Sequence, residues 1–136
     1  MKYLIIALLF VLFFSCTHPT GLKELVNNAD SVAINYFKGN GSADSVVNMV
    51  MLRDNPSVRQ LANFIESHKT EDFKCGYDGS IHFFKNNVVL KDVDFRMNDV
   101  QCMHFSFLMN GKIYSTKLSA GAKQFMEKSN TRLRLQ

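Results

Sequence analysis

The sequence predicts an α+β domain: a mainly antiparallel sheet of about six strands, ordered β-β-α-β-β-β-β-α, with helices on one face. Three observations lead there. Between residues 75 and 118, apolar and polar side chains alternate with period two, the pattern of strands with one buried face. Residues 54–69 (DNPSVRQLANFIESHK) instead place Val58, Leu61, Ala62 and Ile65 at helical spacing. The breaks between strand-like runs are short, which favours antiparallel neighbours over parallel crossovers.

Taken in chain order, residues 31–38 (SVAINYFK) and 45–53 (SVVNMVMLR) are rich in β-formers and flank the loop from Gly39 to Ser42, so a hairpin is expected. The helix over 54–69 follows, with Asp54 or Asn55 as cap and Pro56 in its first turn. Asn110-Gly111 is the strongest hairpin signal, because both central residues of a type I′ turn need positive φ. A two-residue loop there pairs Met109 with Lys112, Phe107 with Tyr114, Phe105 with Thr116 and His104 with Lys117. The run 91–98 (KDVDFRMN) must then set Phe95 opposite Phe105 and Arg96 opposite His104 to keep its apolar side chains on one face. For residues 80–85 (SIHFFK), a two-residue turn at Asn86-Asn87 would set Ile81 opposite Asp92. A longer loop or a bulge is therefore expected, restoring Ile81 opposite Val93. A final helix over 120–129 is capped by Ser119 and packs through Ala122, Phe125 and Met126.

The first sixteen residues (MKYLIIALLFVLFFSC) carry a different message. Lys2 precedes eleven unbroken apolar residues, Leu4 to Phe14, about half of the roughly 20 needed to span a bilayer. A short apolar core behind a cation and before a small residue is a secretory signal. Phe13-Phe14-Ser15-Cys16 resembles the lipobox of bacterial lipoproteins, in which signal peptidase II cuts before the lipid-modified cysteine. Ser15 fits the small residue before the cut, and Phe13 departs from the usual Leu or Val. The resemblance implies acylation of Cys16, by palmitate-type chains among others, and a location in the bacterial cell envelope. The absence of an acidic run after Cys16 favours a periplasm-facing one.

The organisation expected is therefore a signal peptide at 1–15, a lipid-anchored tether at 16–30, one domain at 31–129 and a basic tail at 130–136. Within the tether Leu22, Leu25 and Val26 share a helical face, too short to hold without docking. Once residues 1–15 are removed, the apolar content falls to that of an ordinary soluble domain. The net charge of +4 comes from Lys2 and from Lys123, Lys128, Arg132 and Arg134 against Glu127, while residues 17–118 are neutral. That pattern excludes a nucleic-acid-binding face and leaves a basic end suited to anionic headgroups.

Cys75 and Cys102 remain after processing, the number that makes one disulfide in an oxidising compartment. In a simple meander their strands are separated by a third, so the bond requires Cys75 to lie in a segment folding across the sheet end. The polar face of the expected sheet gathers Ser80, His82, Asp92, Asp94, Arg96, His104, Ser106, Ser115 and Lys117. From these, His82, Asp94, Arg96 and His104 form a candidate ligand face. His82, Asp94 and His104 approximate a two-His-one-carboxylate set, but no tight ligand spacing supports a metal. Leu108 and Ile113 fall on the same face beside the Asn110-Gly111 turn and form a candidate partner contact. There is no nucleophile elbow and no phosphate-cradling loop. No catalytic residue, metal or cofactor is assigned. The expected function is non-enzymatic binding of an envelope protein or small ligand; the alternatives are an accessory envelope lipoprotein and an inhibitor of an envelope enzyme.

Overall fold

The computed structural model describes residues 20–38 and 45–132; Cys16 and the expected signal peptide lie outside them. The elements are α1 (Leu22–Val26), β1 (Ser31–Phe37), β2 (Val46–Leu52), α2 (Asn55–Ile65), β3 (Gly79–Lys85), β4 (Val88–Arg96), β5 (His104–Met109), β6 (Lys112–Lys117) and α3 (Ala120–Arg132). The strands form a single antiparallel sheet in the order β2-β1-β3-β4-β5-β6. This is the α+β architecture expected, with one further short helix.

The registers follow from face matching. Phe107 faces Tyr114 and Met109 faces Lys112 across the Asn110-Gly111 turn, whose φ values are 51° and 74°. Phe95 lies opposite Phe105, and Arg96 opposite His104. Between β3 and β4 both requirements are met at once. Asn86 and Asn87 form the two-residue turn, with φ of 50° and 63°, and a register shift between Phe83 and Phe84 restores Ile81 opposite Val93. The bulge keeps Ile81 and Phe83 in the core with Val93 and Phe95.

One sheet face carries Val32, Ile34, Tyr36, Val50, Ile81, Phe83, Val93, Phe95, Phe105 and Phe107 into a single core with Val58, Leu61, Ile65, Ala122 and Met126 of the helices. Tyr36 donates its buried hydroxyl to Met126 O at 2.8 Å, tying β1 to α3. α2 begins where expected, with Asp54 Oδ2 accepting from Ser57 N at 2.9 Å, but stops at Ile65 instead of continuing to 69. Glu66 leaves helical geometry, and its carboxylate turns to α1, accepting from Gly21 N and Lys23 N at 3.3 and 2.6 Å.

That contact explains how a five-residue helix persists. Gly21 has no capping side chain, and Glu66 takes the first free N–H groups in its place. Leu22 and Val26 are buried in the core, so residues expected to be tether belong to the folded body from Leu22 onward. Leu25, expected on the same face, is exposed. At the other end α3 runs to Arg132, past the expected limit at 129, and its cap is Ser119, whose Oγ accepts from Ala122 N at 3.1 Å. Residues 133–136 of the expected basic tail lie outside the described residues.

Candidate functional site

The second face of the sheet alternates with the core face, so Ser80, His82, Asp92, Asp94, Arg96, His104, Ser106, Leu108, Ile113 and Ser115 share it. It is not uniformly wet. After α2 the chain runs along the outer edge of β6, with Thr70 N donating to Ser115 O and Lys117 N to His68 O. It then crosses the second face as a strap over residues 71–78. Asp72 accepts from Ser115 Oγ at 2.8 Å, and the rings of Phe73 and Tyr77 close over His104 with centroids 5.1 and 6.0 Å away. Cys75 reaches Cys102 in a disulfide with Cα atoms 6.3 Å apart. This is the fold across the sheet end that the bond requires.

The strap divides the candidate ligand face. His104 is 1% exposed, and its Nδ1–H donates to Cys102 O at 2.6 Å. It is a packed interior histidine and does not meet His82. Arg96 is used by the strap as well: its Nη1 donates to Asp78 Oδ1 at 3.0 Å, while Asp78 Oδ2 accepts from Met97 N and Asn98 N. Ser106 and Ser115 are buried under the same segment. The expectation of one continuous polar face with His82, Asp94, Arg96 and His104 together is therefore corrected, because the strap supplies partners for half of it. Cys75, Cys102 and Asp99 bring three potential metal ligands within 4.8 Å, but both sulfurs are joined to one another.

Outside the strap lies a compact polar group that spacing alone does not single out. His82 is held at both ring nitrogens. Its Nδ1–H donates to Asp92 Oδ1 at 2.6 Å, and Nε2 accepts from Ser80 Oγ at 2.9 Å in the neutral ring. Asn35 Nδ2 approaches Ser80 Oγ at 3.5 Å from β1. The partner of His82 is thus Asp92, directly across the β3–β4 ladder, and not the expected Asp94. Asp94 pairs with Ser80 across the same ladder. Burial first, and then the neighbouring Asp92 charge, push its pKa above the usual carboxylate value, with His82 opposing. The signal for this group was the register: once Ile81 opposes Val93, His82 must oppose Asp92.

Apolar side chains flank the group on both sides. Leu108 and Ile113 face each other across β5 and β6 and are 54% and 63% exposed, so the expected partner contact is open to solvent. On the far side Met49 and Met51 of β2 lie opposite Asn35 and Ala33 and are also exposed. Comparison with protein-family models, curated proteins and solved structures finds no match for this chain.

Proposed function

We propose that this protein is a lipid-anchored binding module of the bacterial cell envelope, held through an acylated Cys16 and facing the periplasm. It recognises an envelope protein through the open half of its second sheet face. The observation that supports this reading is the fixed Ser80–His82–Asp92 group, set between exposed apolar residues on either side. Leu108 and Ile113 supply an exposed apolar patch, and the oriented polar group beside it supplies a polar margin, the apolar centre and polar rim of a protein interface. No helix among the described residues is long and apolar enough to cross a membrane.

The same hydrogen-bond chain has the connectivity of a nucleophile, a base and an orienting acid, which supports acyl transfer as a second reading. Ser80, however, lies inside β3, which is paired on both sides from Gly79 to Phe84. The strand's N–H groups are committed to those ladders, leaving none beside Ser80 to stabilise an oxyanion. Recognition needs no such donor and is the better reading. Cross-linking in native membranes followed by capture is expected to recover a partner with the wild-type chain. His82→Ala and Ile113→Asp are expected to reduce capture at least tenfold without lowering the thermal midpoint. Equal capture by all three chains overturns the interface. Fluorophosphonate labelling that Ser80→Ala abolishes would replace it with acyl transfer.

A further inference from the structure

The two-residue turns Asn86-Asn87 and Asn110-Gly111 lie at one end of the sheet, because β4 leads away from that end and β5 leads back to it. α1 crosses the same end. At its start Gly21 stands against Met109, where an added Cβ would lie 3.5 Å from Cε, and after it Asp30 N donates to Phe84 O at 2.9 Å. β2 also finishes here, with Leu52 opposite Val32, and hands over to α2. Between these segments is an open pocket of about 390 Å³, lined by Asn27, Asp30, Arg53, Asn55, Arg59 and Lys85 among others. Three cations therefore meet one acid. Asp30 is committed to the fold, its Oδ2 accepting from Asn86 N at 2.9 Å and its Oδ1 from Ser31 Oγ at 3.1 Å. Arg53 and Arg59 enter no ion pair among the described residues. Beside Lys85, Val88 and Val89 are 64% and 47% exposed.

We infer that this end of the sheet seats on the anionic lipid surface that holds the anchor, with Arg53, Arg59 and Lys85 taking phosphate headgroups and Val88 and Val89 entering the interfacial layer. The inference rests on the acylated Cys16 proposed above. Thr20 is four residues on from Cys16, a reach of at most about 14 Å at full extension, so the end that receives Thr20 cannot stand farther than that from the lipid. Thr20 is fastened to that end, its Oγ1 donating to Glu66 Oε1 at 3.2 Å. A soluble phosphate would engage the cations alone and give the exposed valines no partner. A bilayer engages both, the cations through its negative surface and the valines through its interfacial layer. Seated on its end, the sheet stands upright and leaves its second face open to a protein.

Hydrogen exchange on the full chain, purified from membranes and reconstituted into vesicles, tests this. Relative to phosphatidylcholine alone, vesicles containing phosphatidylglycerol are expected to slow the amides of residues 85–89 about fivefold or more, since each cation near an anionic surface strengthens its binding by about that factor. Amides around Val100, in the loop at the opposite end of the sheet, should not change. Molar salt is expected to remove the slowing without any substitution. Arg59→Glu with Lys85→Glu is expected to remove it too, with β5 amides reporting an intact fold. Equal exchange in the two lipids, slowing that salt or the double variant leaves in place, or equal slowing around Val100 would each overturn the proposal. Glycerol phosphate that reproduces the slowing on phosphatidylcholine vesicles would also overturn it, giving the pocket to a soluble anion. The anchor is scored separately, by whether Cys16→Ser releases the chain from the membrane fraction, so failure of the anchor and failure of the docking give different results.

Discussion

Asp78 concentrates more of the fold's polar bonding than any residue at the expected ligand face. It is 5% exposed and accepts from the Arg96 guanidinium and from two backbone N–H groups just after β4. Arg96 Nε has no hydrogen-bond partner among the described residues, so the Asp78 contact is what compensates its partly buried charge. Asp78→Ala is expected to cost about 3 kcal/mol in urea unfolding, since it strands a cation and two amides. Asp94 behaves in the opposite sense. Its pKa in the folded protein lies above the ordinary carboxylate value, chiefly through burial. The resulting penalty is absent below the unfolded value and grows as pH rises through the raised one. Asp94→Asn is therefore expected to raise the thermal midpoint above wild type at pH 7 and to match it at pH 3. Gly79 shows why β3 begins where it does. A Cβ there would lie 2.1 Å from Asn35 O and 2.3 Å from the Phe95 ring, so only glycine lets β1 and β4 close around it.

At the scale of elements, the strap over 71–78 and α1 are held by ties to segments distant in sequence. The strap has no regular structure and is held by Asp72, the aromatic pair over His104, Asp78 and the disulfide. Closing a loop with a separation of 27 residues stabilises the fold by about 3.5 kcal/mol on the chain-entropy model. Cys75→Ser with Cys102→Ser is expected to lose about that amount in urea unfolding and to speed hydrogen exchange at Cys102 and His104 before β3 or β4. α1 was readable as an apolar face at 22–26, but its docking was not, because its cap comes from Glu66, more than forty residues away. The early end of α2 has the same cause. Local periodicity continues the helix, and the carboxylate needed elsewhere ends it. By contrast, the Ile81–Val93 register was legible, since matched apolar faces demand it; whether a longer loop or a bulge delivers it was not, and the structure uses a two-residue turn with a bulge.

For the whole molecule, the anchor can be tested apart from the fold. If Cys16 carries the anchor, Cys16→Ser is expected to move the protein from the membrane fraction to the soluble fraction, because multiple acyl chains are needed for stable anchoring. A chain that stays with the membrane after that change would overturn the lipoprotein reading. The alternation of side chains and the chemistry of two turns determined, from sequence alone, the class and the registers that join β3, β4, β5 and β6, because the period of a strand and the φ demanded by a tight turn are local properties. Only the tertiary structure decided which polar residues stay accessible. The strap crosses one half of the second face, burying His104 and occupying Arg96, and leaves His82 and Asp92 accessible on the other half, over the buried Ser80. No local pattern encodes that division, since it depends on where an irregular segment comes to rest after passing the far edge of the sheet.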